Sequence, residues 1–165
     1  MFGDSSPGTQ SNAGATDGRE RKERTVLFVG AKPIPPDAIS RAFDKFSVSV
    51  EFVTDGNQVI ERLAEVSAST SDSPPDLVLL EHGFESPDWK TVLLAIKSSP
   101  RLGTVPVVVL TPDETDAKTV YTHGGNAHVT TPESPEVYTE LLGSFGRFWF
   151  EWGRYPSESL SANNL

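Results

Sequence analysis

Asp76-Leu-Val-Leu-Leu-Glu81 is a short apolar run that ends on a carboxylate, and this run decides the fold. Continuous Leu and Val without polar alternation is typical of a strand that is buried on both faces of a parallel sheet. The run therefore predicts a central strand that brings Glu81 to the carboxyl edge of the sheet.

Strand-like runs and helical patterns alternate on both sides of this strand. Such alternation is typical of a parallel sheet whose strands are joined by crossover helices. Four further strands are predicted, at Thr25–Val29, Ser47–Val53, Pro106–Leu110 and Ala127–Thr130. Helices are predicted after Pro35-Pro36-Asp37, from Asp55-Gly-Asn57, over Asp88–Ser99, near Thr115–Thr122 and from Ser134-Pro135-Glu136. The pattern predicts an α/β domain with three layers, α/β/α.

Length and composition indicate one globular domain between two polar tails. The chain has 165 residues, and a single domain usually takes about 100 to 200. Hydrophobic residues make up 36% and charged residues 22%, which is ordinary usage for a protein with a packed core. We predict a disordered polar tail over residues 1–24, the domain over residues 25–153, and a loose tail over residues 154–165.

The absence of cysteine and the acidic charge narrow the possible functions. No Cys occurs, which excludes disulfides and thiolate metal sites and agrees with a reducing compartment, so a cytoplasmic location is expected. The net charge of −9 argues against direct nucleic-acid binding, because such binding depends on Lys and Arg displacing counterions. The acidic excess could also reflect a high-salt cytosol. No apolar run approaches the ~20 residues of a membrane span, so no membrane association is expected.

Three segments carry a resemblance to a known family. They are Asp76-Leu-Val-Leu-Leu-Glu81, Lys97-Ser-Ser-Pro-Arg-Leu-Gly-Thr-Val-Pro-Val-Val-Val-Leu-Thr111 and Gly124-Gly-Asn-Ala-His-Val-Thr-Thr-Pro132. Over about residues 25–152 the chain resembles the response-regulator receiver domain. The third segment and Phe145-Gly-Arg-Phe-Trp149 most resemble the stand-alone receivers that partner bacterial phytochromes. The resemblance implies a flavodoxin-like, doubly wound sheet of five parallel strands, with the site at their carboxyl ends.

By this resemblance, the acidic centre of the family pocket is replaced. The phospho-acceptor Asp of the family corresponds to Glu81, and the acidic pair that holds a divalent metal corresponds to Gly30 and Ala31. Glu81 keeps the negative charge, but its extra methylene displaces the carboxylate, and a misplacement of this size can cost ~100-fold in rate. Without the acidic pair, Mg²⁺ would bind weakly. We therefore expect no metal site and no other cofactor.

Other positions of the family pocket are only partly kept. The Lys on the last strand of the family corresponds to Thr131, and a hydroxyl cannot replace its ammonium group. The hydroxyl after the fourth strand is kept as Thr111, and the proline after the fifth strand is kept as Pro132. The switch aromatic of the family corresponds to His128. Gly83 is predicted to supply the turn of a rebuilt loop.

Several interpretations of these residues stay open. Glu81 could be a solvated carboxylate at the sheet edge, a built-in mimic of the active state that hydrogen-bonds Thr111, or a surviving acceptor. A phosphoryl group could instead be taken by a nearby Asp such as Asp88. His128 could be a pH-sensing group or a half-buried packing residue.

The last predicted helix carries more aromatic residues than its core face requires. At helical spacing, a broad apolar stripe is formed by Phe145, Phe148, Trp149 and Trp152, while Phe150 points elsewhere. Aromatic residues are enriched at protein contacts. We predict that this stripe is an interface, either in a homodimer or with another protein.

These patterns favour a stand-alone, receiver-like signalling module that has no enzymatic activity. It would act through protein–protein contact with a degenerate acceptor pocket, with a histidine kinase or a photoreceptor as the class of partner. The first alternative is an active phosphorelay response regulator that a histidine kinase phosphorylates. The second alternative is a flavodoxin-like module that binds a small ligand in the space left by Gly30, Ala31 and Gly83.

Overall fold

The computed structural model of the chain describes residues 23–30, 36–69, 71, 73–83 and 87–152. Within these ranges five strands alternate with five α-helices. The strands are β1 (Arg24–Val29), β2 (Val48–Val53), β3 (Leu77–Glu81), β4 (Val107–Thr111) and β5 (Ala127–Thr130). The helices are α1 (Pro36–Phe43), α2 (Gly56–Ala68), α3 (Trp89–Ser98), α4 (Ala117–Thr122) and α5 (Pro135–Gly146). None of these described helices is both long and apolar enough to cross a membrane.

The five strands form one parallel sheet in the order β2-β1-β3-β4-β5. The chain moves outward from β1 to β2, then returns to β3 on the other side of β1 and continues to β4 and β5. This reversal is the topological switch point of a flavodoxin-like sheet, and it lies between β1 and β3. The predicted doubly wound, five-stranded fold is confirmed.

Helices cover both faces of the sheet. Because successive side chains of a strand point to opposite faces, Leu77 and Leu79 of β3 pack in one cluster while Val78 and Leu80 pack in another. The first cluster includes residues of α1 and α5, and the second includes residues of α2, α3 and α4. All residues of β3 and β4 are buried, as the continuous Leu and Val runs predict. The molecule therefore has the predicted three layers.

Several element boundaries differ slightly from the predicted ones. α3 begins at Trp89 because Asp88 is its N-cap, whose carboxylate accepts a hydrogen bond of 2.9 Å from the Thr91 amide. β1 begins at Arg24, one residue inside the predicted N-terminal tail, and the Arg24 guanidinium donates to the Phe150 carbonyl at 2.7 Å. Except for Glu23 and Arg24, the predicted tails lie outside the described residues.

Candidate functional site

The ends of three neighbouring strands bring the sequence-predicted site residues to one edge of the sheet. Gly30 follows β1, Glu81 ends β3 and Thr111 ends β4. Since parallel strands present their carboxyl ends at the same edge, these residues lie beside the switch point between β1 and β3. The site is therefore at the edge where the sequence predicts it.

Glu81 does not face solvent at this edge. Its residue is 3% exposed, and its carboxylate accepts a hydrogen bond from the hydroxyl of Tyr138, which is itself 1% exposed. Tyr138 lies in the first turns of α5, so this contact joins the central strand to the last helix. The interpretation of Glu81 as a solvated strand-end carboxylate is therefore wrong. The side chain turns inward because Tyr138 offers a buried donor there.

Gly30 makes room for this inward position. A Cβ atom built on Gly30 would lie 2.5 Å from Oε2 of Glu81 and 2.7 Å from Cε1 of Phe28. Both separations are far shorter than a non-bonded contact allows. The extra methylene of Glu81 and the missing side chain of Gly30 are therefore complementary changes: the space that Gly30 leaves is filled by the Glu81 carboxyl group.

Burial changes the acid–base properties of the pair. Removal from water raises the pKa of Glu81 from 4.5 to about 7, and the hydrogen bond from Tyr138 partly opposes this rise. The pKa of the Tyr138 hydroxyl is raised far above its ordinary value, first by burial and then by the adjacent Glu81 carboxylate. Tyr138 therefore stays a neutral donor, and Glu81 is the group of the pair that exchanges its proton near neutral pH.

Thr111 belongs to a different hydrogen-bond network. Its hydroxyl donates to the backbone carbonyl of Asp113 at 3.0 Å and lies 2.7 Å from Nε2 of His128. In the tautomer of His128 that carries its proton on Nε2, Thr111 accepts this second hydrogen bond while it donates to Asp113. His128 is partly buried in this contact. The structure thus gives the predicted switch residue a defined partner.

The pleat of the sheet separates these two networks. Glu81 pairs in register with Leu110, and both belong to the face that α1 and α5 cover. Thr111 is the next residue of β4, so its side chain points to the opposite face, and His128 pairs in register with Val109 on that same face. The interpretation in which Glu81 hydrogen-bonds Thr111 is therefore wrong. Two half-sites replace the predicted single pocket.

The remaining predicted pocket residues lie at the rim of the edge. Gly83 is exposed with a φ of 129°, a conformation that favours glycine, and its role in a rebuilt loop after β3 stays a prediction. The amide of Thr131 donates to the Thr111 carbonyl at 2.8 Å, and the adjacent Pro132 is partly buried. Ala31 lies outside the described residues. Within the described ranges, no cluster of three or more His, Asp or Glu side chains could hold a metal ion.

Asp88, the second candidate for phosphorylation, is occupied as a helix cap. Its carboxylate accepts hydrogen bonds from the amide and the hydroxyl of Thr91, at 2.9 and 2.8 Å. These two hydrogen bonds lower the pKa of Asp88. A phosphoryl group on this carboxylate would displace the cap of α3.

The aromatic end of the chain differs from the predicted stripe. After Gly146 the α-helix continues as a π-helical turn, Arg147–Trp152, whose wider turn rotates each following side chain away from its α-helical position. As a result Phe150 is buried at 8% exposure, and the prediction that it points away from the stripe is wrong. Phe148 is instead 59% exposed and lies edge-on to Trp149, with their ring centroids 5.1 Å apart. Phe145 and Trp149 pack against the core, and the Trp152 side chain lies outside the described part.

Tyr138 is the site residue that the sequence pattern did not identify. It lies 57 residues from Glu81 along the chain, and only the fold brings the two side chains together. A usable signal existed, because the hydroxyl of a buried tyrosine needs a polar partner and α5 was predicted to pack on the sheet. Of the residues on this face near the sheet edge, Glu81 could supply that partner.

Comparisons with known proteins point to one family, although no protein-family model matches the chain. FilR2 of Methanothrix harundinacea (strain 6Ac), a probable methanogenesis regulatory protein, is 31% identical over 122 residues, covering 72% of this chain and 78% of that protein. The phosphorylated cyanobacterial phytochrome response regulator RcpA is 26% identical and superposes with a TM-score of 0.73 over 82% of this chain and 99% of that chain. The Mn²⁺-bound response regulator Rcp1 gives a TM-score of 0.71 at 22% identity, covering 81% of this chain and 99% of that chain.

These similarities agree with the five-stranded parallel sheet and its covering helices. They also confirm the resemblance that three segments of the sequence carry, including the likeness to receivers that partner phytochromes. The chain belongs to the response-regulator receiver family.

Proposed function

We propose that this chain is a pseudo-receiver, a signalling module that works through protein contact without phosphorylation of an acceptor carboxylate. The observation that supports this proposal best is the inward position of Glu81, which is 3% exposed and bound by Tyr138. In-line attack on phosphorus requires an aligned and accessible oxygen, and small misplacements lower the rate steeply. A buried carboxyl group that is already hydrogen-bonded meets neither requirement.

The residues at this site do not fit the Mg²⁺ ion that a working receiver binds. Rcp1 is similar in fold and its structure contains Mn²⁺. In this chain, the position that would supply the first acidic ligand is Gly30, whose side-chain space is filled by Glu81. The Glu81 carboxylate is turned toward Tyr138, away from the rim where a solvated cation would sit. We therefore propose that signalling by this chain uses no Mg²⁺.

The alternative of a small ligand in the emptied pocket gains no support from this geometry. The space beside Gly30 is occupied by the Glu81 carboxyl group, and Gly83 is exposed at the rim with a positive φ. The partner that we propose is a protein of the kinase or photoreceptor class, since the similar RcpA is a phytochrome response regulator. The regulatory name of FilR2 agrees with a signalling role. We place this role in the cytoplasm, as the cysteine-free sequence suggests.

The proposal predicts an unmodified chain after exposure to a phosphodonor. We expect intact-mass spectrometry to show no phosphoryl adduct after incubation with Mg²⁺ and acetyl phosphate. The incubation should be run at about pH 8, so that most of the Glu81 carboxyl, with its pKa of about 7, is ionised and reactivity is tested under favourable conditions. A stoichiometric adduct would contradict the proposal.

Two variants locate any adduct that does form. An adduct that disappears in Glu81→Gln would assign the acceptor to Glu81 and restore the phosphorelay function. An adduct that persists in Glu81→Gln and disappears in Asp88→Asn would assign it to the cap of α3. In either case the chain would be an active response regulator.

We further propose that the exposed ring of Phe148, in the π-helical turn after α5, is the centre of the contact surface of a homodimer. Phe148 is 59% exposed and stacks edge-on against Trp149, so an apolar ring projects from the π-helical turn. Aromatic side chains of this kind are frequent among the residues that dominate binding energy.

Phe148→Ala is expected to weaken dimerisation at least about tenfold, measured by sedimentation equilibrium. Leu94→Ala is the matched control, because Leu94 on α3 is similarly exposed, at 53%, but lies on the opposite layer of helices. The control is expected to dimerise as the unmodified chain does. An unmodified chain that stays monomeric at high concentration, or equal weakening by both variants, would contradict the proposed surface.

A further inference from the structure

Glu81 is, within the described ranges, the only charged residue among those classed as buried, and the proposed function leaves it without a chemical task. We propose that Glu81 is a proton-controlled contact between β3 and α5: the neutral carboxyl packs against Tyr138 in the apolar interior, whereas the ionised carboxylate is poorly solvated there and shifts toward water, which alters the position of α5. This inference rests on the proposed function, because a carboxylate that carried a phosphoryl group could not serve in this way.

The first support is the apolar wall around the carboxyl group. The same face of the sheet carries Phe28, Leu79 and Leu110, and all three are at most 2% exposed. On the β1 side, Oε2 of Glu81 lies against Gly30, which offers no side-chain donor. An ionised carboxylate is poorly solvated in such surroundings, whereas the neutral acid is tolerated.

The second support is that no neighbouring charge of the described residues compensates the carboxylate. On α5 the facing group is Tyr138, a neutral donor; on β1 it is Gly30, and on β4 the register partner is Leu110. His128 and Asp113 lie with Thr111 on the other side of the sheet. His82, which follows Glu81, and the ionisable groups of α1, Asp37 and Arg41, are all exposed to solvent. Burial therefore dominates and raises the pKa of Glu81 to about 7.

The third support is the position of Tyr138 within α5. Tyr138 lies near the start of the helix, and Leu142 and Gly146 continue the buried side toward its end. The helix then passes directly into the π-helical turn that exposes Phe148. A change in the contact at Tyr138 therefore acts on the element that carries the proposed dimer surface. Ionised Glu81 can reach water by rotating toward the sheet edge, where its neighbour His82 is already exposed.

A pH titration followed by NMR on the full chain tests the inference. Carbon-13 shifts of the glutamate carboxyl groups report the ionisation of Glu81, and amide shifts of α5 report the helix. We expect one glutamate with a midpoint near 7, and α5 amides that change with the same midpoint. In Glu81→Gln, which keeps the size of the side chain, the α5 transition should vanish. In Tyr138→Phe, which keeps the ring and removes the hydroxyl, the response of the α5 amides at the Glu81 midpoint should shrink, because the hydroxyl is the contact that joins Glu81 to the helix.

A Glu81 midpoint near the ordinary 4.5, or a midpoint near 7 without any α5 response, would overturn the inference. The mass-spectrometric test separates this failure from failure of the proposed function. If no phosphoryl adduct forms and the α5 amides do not respond to the ionisation of Glu81, only the proton-controlled contact is rejected. A phosphorylated Glu81 would reject the proposed function and the inference together.

Discussion

Gly30→Ala is expected to destabilise the protein by about 2–3 kcal/mol, measured as the free energy of unfolding in denaturant. The added Cβ would lie 2.5 Å from Oε2 of Glu81 and 2.7 Å from Cε1 of Phe28. Phe28 is 2% exposed and packs against the ring of Phe52 at a centroid distance of 5.8 Å, so it has little freedom to withdraw. One methyl group must therefore displace either a core aromatic ring or a buried carboxyl group.

Gly143→Ala is the matched control for this prediction. Gly143 lies inside α5, and the nearest atom to its added Cβ would be the Ala42 carbonyl oxygen at 3.9 Å, which is an ordinary contact. Because alanine is the better helix former, this control is expected to gain about 0.5–1 kcal/mol. Equal effects at the two glycines would show that Gly30 is not a close-packed position.

A double-mutant cycle identifies Glu81 as the partner of the clash. Glu81→Asp shortens the side chain by one methylene and withdraws the oxygen from the added methyl group. We expect the double variant Gly30→Ala/Glu81→Asp to be more stable, by about 1 kcal/mol, than the sum of the single effects predicts. Additive effects would mean that Phe28 alone carries the cost, and the complementarity of Gly30 and Glu81 would be rejected.

The fold was predictable because its signal is repeated along the chain. β3 and β4 are continuous Leu and Val runs, and these runs predicted central strands that the structure buries completely. The helix predicted over Asp88–Ser99 is present as α3, and its apolar residues Val92, Leu93 and Ile96, at helical spacing, are all fully buried. Each of these inferences depends only on local periodicity, which the sequence displays directly.

The division of the site was not predictable in the same way. Whether Glu81 and Thr111 face each other depends on a shift of one residue, since neighbouring positions of a strand point to opposite faces. The pairing of Glu81 with Leu110 sets this register, and no sequence pattern states it. The resemblance to receivers supplied equivalent positions without supplying side-chain directions, so the two half-sites were merged into one pocket.

The end of α5 shows a second limit of periodicity. The stripe of aromatic residues assumed α-helical spacing to the end of the helix, but the chain adopts a π-helical turn from Arg147. This exchanges the buried and exposed positions, so Phe150 enters the core while Phe148 faces outward. A π-helical turn has no reliable sequence signature, because it follows from how the final aromatic rings fit against the sheet and α1.

Glu81→Gln is expected to remove a pH dependence of the free energy of unfolding that amounts to about 3–4 kcal/mol at most, at ~1.4 kcal/mol per unit of pKa change. The pKa of Glu81 is 4.5 as an ordinary glutamate and about 7 in the folded protein. Between these values the folded chain binds a proton that the unfolded chain does not bind. The free energy of unfolding of the unmodified chain should therefore fall as pH rises from about 4.5 to about 7, and stay lower above this window.

The difference between the unmodified chain and Glu81→Gln isolates this effect from other titrations. Asp88, Asp113 and Glu136 have lowered pKa values, so their contributions are lost on acidification, below the window of Glu81. Glutamine is uncharged throughout and keeps an oxygen that can accept a hydrogen bond from Tyr138.

The measurement is denaturant unfolding of both chains at about pH 5 and about pH 8. Between these pH values, the free energy of unfolding of Glu81→Gln should rise relative to that of the unmodified chain by up to about 3 kcal/mol. Glu140→Gln is the control, because Glu140 is an exposed residue of α5; its free energy of unfolding relative to the unmodified chain should be the same at both pH values. A constant difference between the unmodified chain and Glu81→Gln at the two pH values would mean that the buried carboxyl is solvated in the native state, and the proton-controlled contact would lose its energetic basis.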